Sequence, residues 1–112
     1  FPYTTLFRSN RQEMGMKGYW IILGTAVVDA AAQAKYGALW APIAAKYQAR
    51  LVTSGHSLEL KETRDTQRVM LVEFPSLALA RACWDDPDYQ HAKDFARAAS
   101  ARDLVIVEGN IH

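Results

Sequence analysis

Apolar residues along the chain fall into four short segments, separated by two longer stretches with helical spacing. β-Branched and aromatic residues dominate the four segments, as is typical of strands. We therefore predict strands over residues 19–28, 50–56, 68–74 and 103–108. Polar and charged residues fill positions 57–67, which we interpret as a hairpin connection between the second and third strands.

Two helical regions lie between these strands. Asp29 is a good N-cap for the first region, in which apolar residues recur at three- and four-residue steps. The members of this stripe are Ala32, Tyr36, Leu39, Trp40, Ile43 and Tyr47. Ser76 is the predicted cap of the second region, which begins with residues 77–84. The pair Asp86 and Pro87 restarts a helix that runs to about residue 100, because proline is favoured at the first helical position behind an aspartate cap.

The order strand, helix, strand, strand, helix, strand predicts one α+β domain with the ferredoxin-like βαββαβ layout and a four-stranded antiparallel sheet. Successive strand residues point to opposite faces, and both faces are apolar here: Ile21 opposes Ile22, and Leu71 opposes Val72. The helices can cover one face only. We therefore expect a homodimer through the other sheet face. The alternative is that the chain's own ends and loops cover it.

The first residues do not fit this pattern. The segment FPYTTLFRS (1–9) has no partner pattern downstream and resembles a translated sequencing adapter. We expect residues 1–15 to be a non-native or disordered extension and residues 16–112 to be the domain, with Met16 rather than Met14 as the true start. The alternative is a natural signal-like arm, for which the apolar stretch is too short.

Composition and charge exclude several classes of function. Hydrophobic residues make up 50% of the chain, which is too many for a disordered protein. No apolar run approaches the roughly 20 residues that cross a bilayer, so we expect no membrane association. Without Arg8, Arg11 and Glu13 the formal charge is zero, which makes nucleic acid a poor partner. The single cysteine, Cys83, permits no intramolecular disulfide, and we expect a cytoplasmic protein.

Four ordered segments are similar to the family named domain of unknown function 1330 (DUF1330). They are KGYWI (17–21), VEFPS (72–76), DPDYQ (86–90) and LVIVEG (104–109). The resemblance implies a dimeric α+β barrel, in which ferredoxin-like subunits pair sheet to sheet. Gln48 and Ala49 stand where the family usually has two glycines, and His56 replaces a further glycine after Gly55. The dimeric α+β barrel superfamily, which this resemblance implies, includes cofactor-free monooxygenases, lactone isomerases, haem-handling proteins and domains without known activity. The fold therefore does not decide the function.

Large aromatic residues with polar atoms are the main indication of a ligand site. We predict that Tyr36, Trp40, Trp84 and Tyr89 line a cleft between helices and sheet, with Arg97 or His91 at its rim. The alternative is that these residues form plain core. Such a cleft favours a small-molecule-binding domain that acts without a cofactor on an apolar or aromatic compound, by proton transfer, isomerisation or oxygenation. The alternative function is a non-catalytic, dimeric metabolite-binding or structural module.

The candidate proton-transfer residues are Tyr89, His91, Glu73 and His56. Strand pairing predicts that Glu73 and Glu108 flank Lys17 and Tyr19 at one sheet edge, where they act in acid–base chemistry or form a structural ion pair.

The histidines leave further alternatives open. His56 is the last residue of the predicted second strand, and we expect it near Arg68 as a base, a haem ligand or a solvated strand end. His91 is a second haem candidate or a half-buried structural residue. A metal site formed by Asp86, Asp88, His91 and Asp94 is the less favoured interpretation, because acidic residues at a helix start are explained by the helix dipole. We expect no metal and no organic cofactor.

Overall fold

The computed structural model describes residues 16–111, and the predictions about residues 1–15 lie outside them. These residues form the following elements in chain order: β1 Lys17–Gly24, α1 Ala30–Tyr47, β2 Arg50–Leu51, β3 Arg68–Phe74, α2 Leu77–Asp85, α3 Pro87–Ala99 and β4 Arg102–Gly109. No helix within this part of the chain is both long enough and apolar enough to span a bilayer.

The four strands form one antiparallel sheet in the order β2-β3-β1-β4. Trp20 in the central strand β1 pairs with Val72 of β3 on one side and with Ile106 of β4 on the other. This order, with helices between the first and second strands and between the third and fourth, is the predicted ferredoxin-like α+β fold.

The second strand is shorter than predicted. It comprises Arg50–Leu51 instead of residues 50–56, and only one further backbone bond, from Val52 N to Leu71 O at 2.8 Å, extends its contact with β3. The chain then turns, because His56 N donates to Thr53 O at 3.0 Å and Gly55 has a φ of 78°. The prediction failed here because the alternation of RLVTSGH continues through a turn.

The predicted helix starts are confirmed by their caps. The side chain of Asp29 accepts from Ala32 N at 3.0 Å, and that of Ser76 accepts from Leu79 N at 3.1 Å. Asp86 accepts from Asp88 N at 2.8 Å, with Pro87 at the first helical position. Each cap satisfies a backbone N–H that has no partner inside its own helix.

The helices pack on one face of the sheet, which we call the inner face. Its side chains are Trp20, Ile22, Met70, Val72, Phe74, Leu104 and Ile106, and they form the core together with helical residues. The opposite, outer face also carries apolar residues, namely Ile21, Leu23, Val69, Leu71, Val105 and Val107. Val105 remains 53% exposed and Leu23 38% exposed. The prediction of a sheet with two apolar faces is therefore confirmed.

Candidate functional site

The predicted aromatic residues converge on Trp20 of β1. The ring centroid of Trp20 lies 4.8 Å from that of Tyr89 and 5.6 Å from that of Trp40, and the Trp84 ring lies 6.1 Å away. The indole N–H of Trp20 donates to Ala80 O at 3.0 Å, so this fully buried ring has its polar atom satisfied. Sequence reasoning placed Trp20 on a strand but did not identify it as the residue that contacts all three described helices.

A cavity of about 200 Å³ lies between α1 and the inner face of the sheet. Its lining comprises Trp20, Ile22, Gln33, Tyr36, Gly37, Trp40, Ala49, Leu51, Met70, Val72 and Arg102. The rings of Tyr36 and Trp40 are nearly parallel, at an interplanar angle of 9° and a centroid distance of 6.4 Å. Tyr36 and Trp40 therefore line this cavity, whose surface is mainly apolar.

One end of this cavity is polar, because Arg102 contacts two tyrosines there. Its Nη2 atom donates to the Tyr89 hydroxyl at 2.7 Å, and its guanidinium lies 5.3 Å from the centre of the Tyr36 ring. The Tyr36 and Tyr89 hydroxyl oxygens are 3.2 Å apart. Burial, and secondarily the neighbouring Tyr36, raises the pKa of Tyr89, so its hydroxyl stays protonated at neutral pH.

A second arginine lies beside Arg102 at the same end of the sheet. Arg68 and Arg102 both pair with Gly24, from opposite sides. The Arg68 guanidinium donates to Thr25 O at 3.0 Å and to the Ser100 hydroxyl at 2.9 Å. Burial lowers the pKa of Arg68, and the positive charge of Arg102 lowers it further. No ion pair to a carboxylate is present at either arginine within residues 16–111.

The other predicted binding residues lie in a different groove. Trp84 and Arg97 line a space of about 420 Å³ beside β4, together with Lys93, whose ammonium lies 4.9 Å from the centre of the Trp84 ring. Arg102 borders this groove as well as the cavity under α1. The four predicted aromatics thus belong to one cluster, but only Tyr36 and Trp40 line the cavity.

His56 and His91 lie away from the cavity. His91 is exposed, packs edge-on against Phe95 at 5.5 Å, and borders a depression between α1 and α3. His56 is exposed, and its ring nitrogen lies 3.1 Å from Ser54 O within its own loop. Arg68, its expected neighbour, instead donates to Thr25 and Ser100. The described residues contain no group of three or more His, Cys, Asp and Glu side chains that could hold a metal ion.

Glu73 lies on the outer face, where the predicted contact with Lys17 and Tyr19 is present. Its carboxylate accepts from Lys17 Nζ at 3.2 Å, from the Tyr19 hydroxyl at 3.3 Å and from Arg50 Nη2 at 2.9 Å. Burial opposes the charge, but the hydrogen bonds from Arg50 and Lys17 lower the pKa of Glu73 to about 2. The carboxylate is therefore ionised at neutral pH, as in the ion-pair alternative. Glu108 is exposed at the edge of the sheet.

Arg102 is the functional candidate that sequence reasoning missed. It stands immediately before the predicted last strand, where a charged residue is ordinary. The available signal was the strand register, because pairing with Gly24 places Arg102 on the same face as Trp20 and Ile22.

Similar folds occur in several solved structures. A protein of unknown function from Rhodopseudomonas palustris is 23% identical, with a TM-score of 0.63 over 84% of this chain and 82% of that chain. A dimeric protein of unknown function and ferredoxin-like fold from Bacteroides fragilis is 13% identical, with a TM-score of 0.52 over 84% of this chain and 96% of that one. A candidate antibiotic biosynthesis monooxygenase from Caulobacter crescentus is 16% identical, with a TM-score of 0.50 over 89% of this chain and 93% of its own.

At these identities the likeness establishes the ferredoxin-like α+β fold and no activity. No curated protein matches the chain significantly in sequence. The family model described as "Domain of unknown function (DUF1330)" matches residues 17–110, which include every described strand and helix. The chain therefore belongs to the DUF1330 family.

Proposed function

We propose that this domain binds a small apolar or aromatic compound in the cavity between α1 and the sheet. The observation that carries the proposal is the aromatic wall formed by Tyr36, Trp40 and Trp20 around a space of about 200 Å³. An apolar cavity of about 150 Å³ is large enough to bind benzene. The space therefore suits a compound with a single ring.

The lining favours binding over proton-transfer chemistry. The lining residues within 16–111 include no carboxylate, imidazole or thiol that could serve as a general base. Of the four predicted catalytic residues, Tyr89 is the one that bonds to lining residues, through Arg102 and Tyr36. Glu73, His56 and His91 do not line the cavity, so the proposal does not use them. The non-catalytic, metabolite-binding alternative is thus the form of the function that the geometry supports best.

Gly37 offers a direct test, because it lies on α1 at the cavity wall. A Cβ atom built on Gly37 would meet nothing within 4 Å apart from its chain neighbours and the backbone of its own helix, so a substitution can begin there without a clash. We expect Gly37→Leu to fill part of the cavity and to weaken binding of single-ring aromatic compounds at least tenfold. Gly37→Ala is the matched control, because it adds the same helix-favouring Cβ with little volume.

The measurement is ligand-induced thermal stabilisation together with tryptophan fluorescence, using indole, phenol and benzoate as probes. A bound compound raises the unfolding temperature by mass action, and quenching reports contact with the tryptophan rings. Binding to the original chain and to Gly37→Ala, with loss in Gly37→Leu, supports the proposal. Equal binding by Gly37→Leu would show that the compounds bind elsewhere, and an absence of binding to the original chain contradicts the proposal.

We further propose that a second copy of this chain covers the outer face. The support is the apolar character of that face at Val105, Leu71 and Leu23, and the dimeric state described for the Bacteroides fragilis neighbour. Light scattering at micromolar concentration tests it, and a single-subunit mass would contradict it.

A further inference from the structure

We propose that the ligand of the cavity is a small aromatic carboxylate whose negative charge is bound by Arg102. This inference rests on the proposed function and adds to it the chemical class of the ligand. Its basis is a half-buried guanidinium at the end of an aromatic cavity, to which no carboxylate within residues 16–111 forms an ion pair.

The charge of Arg102 is not balanced by an ion pair in the described part of the chain. Within residues 16–111, no carboxylate oxygen forms an ion pair with this side chain. A charge removed from water is costly unless it is paired. A guanidinium also has five N–H donors, more than the hydroxyls of Tyr89 and Tyr36 can occupy. An anion in the cavity would supply both the missing charge and the missing acceptors.

Arg68 strengthens the positive potential at this end of the cavity. Its guanidinium is 4.0 Å from the sulfur of Met70, which is itself a lining residue. It donates to the uncharged groups of Thr25 and Ser100, so these contacts leave its charge in place. Two neighbouring guanidinium groups repel each other, and a bound anion relieves that repulsion.

The shape and chemistry of the wall favour a carboxylate attached to a ring. The nearly parallel rings of Tyr36 and Trp40 present flat surfaces, which aromatic ligands contact efficiently. A planar carboxylate matches the planar fork of a guanidinium and can accept two parallel hydrogen bonds. Because Tyr89 keeps its proton, its neutral hydroxyl accepts from Arg102 without cancelling the positive charge that the anion would meet.

Benzoate and benzamide form a suitable pair of probes, since they share size and shape but differ in charge. We expect the original chain to bind benzoate at least about tenfold more tightly than benzamide, as is typical of one charge-assisted hydrogen bond. Arg102→Gln is expected to remove this preference, so that benzoate and benzamide bind with similar affinity. Calorimetry or tryptophan fluorescence on the full chain provides the dissociation constants.

Arg97→Gln is the matched control. Arg97 borders the neighbouring groove but does not line the cavity, so the variant removes the same charge from the same side of the domain. We expect it to keep the preference for benzoate. Retention of the preference in Arg102→Gln, or its loss in Arg97→Gln, would overturn the assignment of the charge to Arg102.

Two further outcomes separate this inference from the proposed function. Equal affinity of the original chain for benzoate and benzamide would overturn the inference and leave the proposed function standing. Binding of neither probe would contradict both. If Arg102→Gln does not fold, salt dependence on the original chain replaces it. Benzoate binding should weaken with added salt and benzamide binding should not, and equal salt dependence would overturn the inference.

Discussion

At the scale of single residues, Gln48 occupies a backbone conformation that suits glycine better than glutamine. It ends α1 with a φ of 56°, in the left-handed region where a Cβ atom is unfavourable. We therefore expect Gln48→Gly to raise the free energy of unfolding by about 0.5–1 kcal/mol. Urea denaturation measures this change. Gln48→Ala keeps the Cβ and serves as the control, and an equal gain in Gln48→Ala would contradict the conformational explanation.

Glu73 makes stability depend on pH. Its pKa is near 2 in the folded protein and near 4.5 when unperturbed, so the folded state favours the ionised form. The stabilisation is complete above the unperturbed pKa and is lost as the pH falls from about 5 to about 2. Glu73→Gln should lower the free energy of unfolding at pH 7 by about 1 kcal/mol, because its ion-pair partners are partly exposed.

Urea denaturation at a series of pH values measures this change, and a second carboxylate provides an internal control. Asp86 also has a pKa lowered to about 2, by hydrogen bonds from Lys46 and Tyr47, so part of the acid sensitivity remains in Glu73→Gln. We expect the difference between the original chain and the variant to shrink as the pH approaches 2. A difference that stays constant from pH 7 to pH 2 would show that packing, and not the charge of Glu73, stabilises the fold.

Glu73 and Arg102 show which residue contacts a sequence can predict. The meeting of Glu73 with Lys17 and Tyr19 follows from strand pairing, in which register alone decides the neighbours. The contact between Arg102 and Tyr89 depends on how α3 is rotated over the sheet, which residue spacing does not specify. The positions of Tyr36 and Trp40 were predictable as a stripe, with a cleft beside them as one of two alternatives, whereas the position of Trp84 and Tyr89 outside the cavity lining was not.

At the scale of elements, Asp86 joins the end of α1 to the start of α3. Its side chain caps α3 at Asp88 N and accepts from Lys46 Nζ at 2.8 Å and from the Tyr47 hydroxyl at 2.5 Å. We expect Asp86→Ala to lower the unfolding temperature by several degrees, because the cap and both links are lost together.

Asp86→Asn separates the two roles of this residue. Asparagine caps a helix about as well as aspartate does, but it carries no charge for Lys46. Thermal unfolding followed by circular dichroism should therefore place Asp86→Asn between the original chain and Asp86→Ala. An unfolding temperature of Asp86→Asn as low as that of Asp86→Ala would show that the cap contributes little.

Helices whose boundaries are marked by capping residues were predictable, and a strand whose length depends on pairing with another strand was less so. The α2 and α3 boundaries follow from Ser76 and from the pair Asp86 and Pro87, which act within a single helical turn. β2 ends instead although β3 continues to Arg68, because the Thr53 side chain accepts from Leu71 N and the positive φ of Gly55 turns the chain away from the sheet. Alternation alone does not reveal that loss of pairing.

At the scale of the whole molecule, the two sheet faces differ because the described helices pack on the inner face and not on the outer one. The inner face is enclosed by three helices and holds the proposed ligand cavity under α1. The outer face also carries apolar side chains, and Val105 and Leu23 are exposed to solvent there. In the proposed dimer a second copy covers this face, because a two-fold axis places the same apolar patch opposite itself.

The substitution Val105→Lys tests this arrangement with little risk to the fold, since the side chain at position 105 is 53% exposed. In a two-fold interface the lysine enters twice, and both ammonium groups lose water against an apolar surface. We expect the original chain to have the mass of a dimer in light scattering and Val105→Lys to have the mass of one subunit. Val28→Lys is the matched control, because Val28 is 82% exposed in the connection between β1 and α1.

A dimeric Val28→Lys beside a monomeric Val105→Lys would locate the interface on the outer face. A dimeric Val105→Lys would instead show that two copies associate through another surface. The same variants also separate association from ligand binding, because Val105 lies on the outer face and is not a lining residue of the cavity. If Val105→Lys becomes monomeric yet binds benzoate as the original chain does, the cavity functions within one subunit. Loss of both dimer formation and benzoate binding would mean that the ligand site depends on the second copy. One subunit would then affect the cavity of the other through contacts at the outer face.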